Sequence, residues 1–153
     1  MDKLGAARLL ALRMHVARYI VRAGATHRSV IAFLDEPTLA RRGALMMELL
    51  EAGGALNPDV LPLPTSTAGA LPLADVHLFG DSGRTVEEVA ASLRAGESGA
   101  SGPQVWAINA GVLLAEPGPG IVDSVEAILR IVMPEALGAN GTPPPAAAAI
   151  RVA

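Results

Sequence analysis

Three short apolar runs, each closed by a turn and followed by a helix-forming stretch, constrain this fold more than anything else in the chain. They lie at Val30 to Leu34 within SVIAFLDEP, at 75–79 (DVHLF) and at 104–108 (QVWAI). Each is short, and Val30 to Leu34 is continuously apolar rather than alternating, the pattern of a strand covered on both faces. The intervening stretches carry helix signals. Thr38 can cap a helix running to about Glu51, where Gly53-Gly54 stops it. Thr85 and Glu88 form a capping box ahead of Val86, Val89, Ala90 and Leu93, which share a face. The stretch 117–137 opens on proline and places Ile121, Val125, Ile128, Leu129 and Val132 at helical spacing. Strands alternating with helices call for parallel pairing, because the helices return the chain across the sheet. The expected class is α/β, with a small, mainly parallel sheet of three or four strands flanked by helices.

The rest of the chain supports one domain with appendages. In residues 4–23, Leu9, Leu12, Val16, Ile20 and Ala23 make a narrow apolar stripe, so residues 1–27 are expected to be a long amphipathic helix and its turn. Residues 28–137 form the α/β body. Within it, 55–74 hold prolines at 58, 62, 64 and 72, which leaves room for a short extended piece or a helical turn but no long element. The segment 96–102, GESGASG, reads as a connector, and 138–153 as a Pro/Ala-rich disordered tail.

Composition excludes several function classes. Of 153 residues 51% are hydrophobic and 18% charged, which favours a packed core over disorder, while 3% aromatics and a net charge of −3 offer nucleic acid neither stacking platforms nor a basic footprint. Cysteine is absent, so thiolate chemistry and disulfides are excluded. Arg8, Arg13 and Arg18 interrupt the first apolar stretch before it reaches the length of a membrane span or a signal h-region, so no membrane insertion and no signal peptide are expected; the compartment stays open.

Ligands of open α/β sheets sit at the C-terminal ends of the strands. The residues there are Asp35 and Glu36 after the first strand, Gly80, Asp81 and Ser82 after the second, and Asn109, Ala110 and Gly111 after the third. His15, His27 and His77 show no metal-ligand spacing, so neither a metal nor another cofactor is expected. Ser82, His77 and Asp81 lack a nucleophile elbow, since 80–84 read GDSGR. Trp106, inside a strand, is expected in the core, as is the Met46-Met47 pair. VIAFLDEPT at 30–38 resembles the magnesium-binding strand of ABC ATPases, but Lys3 is the only lysine and lies in no phosphate-binding loop, which leaves at most an inactive ATPase-like fragment.

A second resemblance covers more of the chain. In QVWAINAGVLLAEPGPGIVDSVEAILRIVMPEAL, residues 104–137, Val105 to Ile108 occupy a strand, PGPGIVD at 117–123 a helix entry, and Pro134-Glu135 a helix end. This resembles the closing segment of the cobalamin and iron-siderophore periplasmic binding proteins, where a strand of the type rVyavD precedes RPGPRivdgle and a terminal hPe. Upstream, SVIAFLDEPTLARRGALMMELLEAGG at 29–54 and ADVHLFGDSG at 74–83 follow in the family's order, and the helix at 4–23 falls where the family has its interlobe helix. The chain departs from the pattern at Gly43-Ala44-Leu45, in place of GhW, at Gly120 for an arginine, at Asn109 for an aspartate and at Gly80-Asp81 for Cys-Gly.

The resemblance implies the C-terminal lobe of a receptor, partial or vestigial, without catalysis. Its ligand would be cobalamin, haem or a ferric siderophore, and its partners a missing N-terminal lobe and an ABC transporter permease. It adds Gly43 and Leu45 to the ligand-facing candidates. A protein–protein interaction module is the remaining alternative, in which an uncovered helix and sheet edge would pair with another chain.

Overall fold

The computed structural model describes residues 3–23, 28–64, 71–95, 104–114, 121–135, 144–145 and 147–152. Ten elements follow in order: α1 (Lys3–Ala23), β1 (Ser29–Leu34), α2 (Glu36–Ala52), β2 (Leu56–Pro62), β3 (Val76–Gly80), α3 (Val86–Ala95), β4 (Gln104–Ile108), α4 (Ala110–Leu113), α5 (Ile121–Val132) and β5 (Ala149–Arg151). The protein is α/β. Its strands form one sheet in the order β2-β1-β3-β4-β5, of which the first four are parallel and β5 runs antiparallel to β4.

Alternation along each strand sorts the core into two faces. Val30, Ala32, Leu34, Val76, Leu78, Trp106 and Ile108 pack with Met46, Leu49 and Leu50 of α2 and Val125, Ile128 and Ile131 of α5. Ile31, Phe33, Phe79, Val105 and Ala107 pack on the other face with Val86, Val89 and Ala90 of α3. Both faces of β1, β3 and β4 are covered, which is why Val30 to Leu34 is continuously apolar. The chain steps from β1 through α2 to β2 in one direction, then from β3 through α3 to β4 in the other. Crossovers of one hand therefore place α2 and α3 on opposite faces. On α1, Leu12 packs against the α2/α5 core and Arg8 pairs with Asp123 of α5 at 3.2 Å. The side chains of Leu9, Val16, Ile20 and Ala23, which complete its expected stripe, lie outside the described residues, as do the connector at 96–102 and the PGPG at 117–120.

Two aspartate–serine clasps hold the central β1–β3 pair, one at each end. At the N-terminal end Ser29 donates its N–H and hydroxyl to Asp75 Oδ2 at 2.9 and 3.1 Å, and the Asp75 N–H donates to Ser29 Oγ at 2.9 Å. At the C-terminal end Asp35 accepts from Ser82. Arg28 closes α5, donating to the Val132 carbonyl at 2.6 Å and pairing with Glu135 at 2.7 Å, a cation where a helix dipole favours one.

Several expectations need correction. α2 begins at Glu36, with Asp35 as N-cap in extended geometry and Pro37 in the first turn, so Thr38 lies inside the helix and is buried. Proline is tolerated there because a first-turn N–H has no helical partner to lose. The C-terminal boundary is as expected: Gly53 caps α2 and Gly54 turns the chain at φ 90. The proline-rich 55–74 contains a seven-residue strand, β2, making five strands rather than three or four. It is an edge strand. Its register against β1 slips between Ser29↔Leu56 and Ile31↔Asp59, and Asn57 takes φ 45 at that irregularity, beside Pro58. Prolines fit edges and bulges, where a missing N–H breaks no inner ladder.

The tail is corrected too. Ala149–Arg151 pairs with β4, and Val152 N–H donates to Val105 O at 2.8 Å. An Ala-rich stretch shows no strand propensity, but β4 would otherwise expose a row of unpaired groups.

Candidate ligand-binding site

The order of the sheet reverses between β1 and β3, where the chain leaves β1 toward one face and β3 toward the other. The divergence opens a crevice above their C-terminal ends, the place where open α/β sheets receive ligands. Asp35 and Ser82 meet across it. Ser82 donates its N–H to Asp35 Oδ1 at 3.0 Å and its hydroxyl to Oδ2 at 2.7 Å, and the Asp35 N–H reaches Gly80 O at 3.3 Å. Each carboxylate oxygen thus accepts a hydrogen bond from Ser82. Burial pushes the Asp35 carboxyl up, but the Ser82 hydrogen bonds, aided by Thr38, outweigh it and leave the pKa lowered from 3.8. A carboxylate so held is a weak proton acceptor near neutral pH.

Two open concavities flank the clasp and share Ser82. One, of about 320 Å³, lies between Thr38, Arg41 and Arg42 of α2 and Ala110, Gly111 and Leu114 beyond β4. The other, of about 530 Å³, runs along 82–88 toward Asn109 and Ala147.

The remaining expected site residues divide between the crevice and the scaffold. Glu36 is exposed at the first turn of α2. Asp81 organises its own turn: Oδ1 accepts from Gly83 N at 2.9 Å and Oδ2 from Arg84 Nε at 3.0 Å. The turn leads into the capping box, where Thr85 N donates to Glu88 Oε1 at 3.2 Å and Glu88 N to Thr85 Oγ1 at 3.1 Å. Asn109 caps α4 through Oδ1 to Val112 N and holds the C-terminal segment through Nδ2 to Ala147 O at 3.1 Å. Gly80 is buried by close packing; a Cβ there would stand 3.1 Å from Ile108 Cγ1 and from Leu34 Cδ2. Gly43 and Leu45 sit further along α2 and line neither concavity; Leu45 packs against the core.

His77 is far from any such role. It is buried edge-on to the stacked Phe33–Phe79 pair, its Nε2 lies 2.8 Å from Pro72 O, and its Nδ1 has no partner among the described residues. Ser82, His77 and Asp81 therefore do not assemble. Trp106 is in the core at 6% exposure, its indole N–H reaching Gln104 Oε1 at 3.3 Å. Among the described residues no group of three or more His, Asp or Glu side chains could hold a metal, and no helix is long and apolar enough to cross a membrane.

Arg41 and Arg42, which line the smaller concavity, were not among the sequence candidates, which were the residues directly after each strand together with Gly43 and Leu45. The signal was present: Thr38, Arg41 and Arg42 stand at i, i+3 and i+4, one helical face.

No family model matches the chain, nor does any curated protein or solved structure.

Proposed function

We propose that this chain is a small-molecule-binding α/β lobe that forms one wall of a receptor for cobalamin, haem or a ferric siderophore. The observation that carries this reading is the reversal of strand order between β1 and β3, with a concavity on each side of the Asp35–Ser82 clasp. The segment resemblance at 29–54, 74–83 and 104–137 supplies the ligand class. The concavities are open, and sites for ligands of this size bury most of the ligand's surface. A single lobe supplies one wall of that enclosure; a second lobe or a permease surface would supply the other.

The test is calorimetric titration of the protein with cyanocobalamin, haemin and a ferric hydroxamate siderophore, beside a Gly111→Leu variant. Gly111 is exposed, and a Cβ there meets only Asn109 Oδ1 at 3.4 Å, so leucine fills the crevice without disturbing the core. Saturable binding of one ligand, weakened at least tenfold by G111L, supports the reading. A folded protein that binds none of the three overturns it.

A further inference from the structure

We propose that α1 docks lengthwise onto an anionic lipid surface, with Leu10 and Met14 against the bilayer and Lys3, Arg13 and Arg18 among the headgroups. The inference goes beyond the ligand-binding reading and does not depend on it. Charge in this chain is segregated. The 21 residues of α1 carry Lys3, Arg8, Arg13, Arg18 and Arg22 and no acid, which leaves seven of the chain's twelve lysines and arginines to stand against fifteen acids elsewhere. The acids nearest the helix are accounted for. Asp123 of α5 pairs with Arg8 at 3.2 Å, Glu126 on the same helix pairs with Arg130, and Asp2 lies outside the described residues. Lys3, Arg13 and Arg18 are exposed and form no ion pair among the described residues.

The apolar part of the surface is on the same side. Leu12 packs inward on the α2/α5 core, so Leu10 and Met14, two positions before and after it, fall on the opposite face, where they are 61% and 45% exposed. By the helical period Arg13 falls to one side of that pair and Arg18 to the other, with Lys3 in line with it. Basic side chains so placed lay their stems over apolar surface and keep their charge at headgroup level. From Lys3 to Arg18 is about 22 Å along the helix axis. A fluid bilayer supplies anions wherever those cations fall, whereas an acidic protein would need carboxylates at matching intervals, and a second α1 would bring like charges together. Among the described residues no helix is long and apolar enough to cross a membrane, so α1 lies on the surface, and the acid excess of the remaining chain turns the body away from it.

The test is cosedimentation of the whole chain with vesicles of phosphatidylcholine alone and of an equimolar mixture of phosphatidylcholine and phosphatidylglycerol, beside R13Q/R18Q, R13K/R18K and L10S/M14S, each checked for folding by circular dichroism. Each cation at such a surface changes affinity about fivefold. The expected result is saturable binding to the mixed vesicles that is weaker on neutral ones and in added salt, falls at least fivefold in R13Q/R18Q, is largely kept in R13K/R18K and is weakened in L10S/M14S. No binding by the folded wild type, equal binding to both kinds of vesicle, or a loss under fivefold in R13Q/R18Q overturns the inference. So does a loss as large in R13K/R18K, or undiminished binding by L10S/M14S. Self-association that L10S/M14S abolishes, with no vesicle bound, assigns this face to a second copy of the chain and overturns the lipid surface as its partner.

Discussion

Replacing Asp35 by asparagine tests whether the clasp between β1 and β3 is a stabilising feature of the crevice. The carboxylate accepts two hydrogen bonds from Ser82, at 3.0 and 2.7 Å, whereas an asparagine amide presents one acceptor oxygen and turns its NH2 toward the other donor. Charge-assisted bonds are worth about 1.5–3 kcal/mol each when shielded. Asp35 is only half-buried, so solvent screening reduces the loss to about 1–2 kcal/mol for the pair. At this chain length each kcal/mol corresponds to about 2–4 °C in Tm.

The pH dependence carries the sharper expectation. Because the folded-state pKa is lowered below 3.8, folding favours the ionised form, and the stabilisation is complete above the unfolded-state value and lost as pH falls through the folded one. Urea unfolding of wild type and D35N should therefore differ by about 1–2 kcal/mol at pH 7 and converge in acid, where protonated Asp35 resembles asparagine. A double-mutant cycle with Ser82→Ala should show coupling, since both changes break the same 2.7 Å bond. A D35N midpoint equal to wild type at pH 7, or a gap that persists unchanged in acid, would refute the reasoning.

Three further perturbations follow from the packing. Gly53→Ala would set a Cβ 2.6 Å from Ile128 Cγ2 and 3.2 Å from Leu49 O, so a loss of about 1–3 kcal/mol is expected by chemical denaturation; an unchanged midpoint would mean that α2 and α5 are less closely packed than described. Ending the chain after residue 143 removes β5 and strips Asn109 of its bonds to Ala147 and Ala148; a lower Tm with increased dye binding to exposed apolar surface is expected, and full stability in the truncated chain would contradict the strand. Thr85→Ala breaks the capping box and should cost about 1 kcal/mol, read by thermal unfolding, with Thr85→Ser retaining most of it.

The sequence by itself determined the α/β class, the three inner strands, the break of α2 at Gly53-Gly54 and the capping box at Thr85 and Glu88. Each of these depends on residues close together in the chain: an unbroken apolar run such as Val30 to Leu34 has to be buried on both faces wherever it pairs, and a threonine three residues before a glutamate meets it within one helical turn. Only the tertiary structure decided the strand order, and with it the crevice. Asp35 and Ser82 are 47 residues apart, and nothing local to either announces that β1 and β3 are neighbours. β2, of which the sequence allowed only a short extended piece, and β5, which it did not show, were obscured for a related reason. Proline-rich and alanine-rich stretches have little strand propensity of their own, and it is the unpaired edges of β1 and β4 that make strands of them. Arg41 and Arg42 line a concavity only because the fold brings Ala110 and Gly111 opposite them.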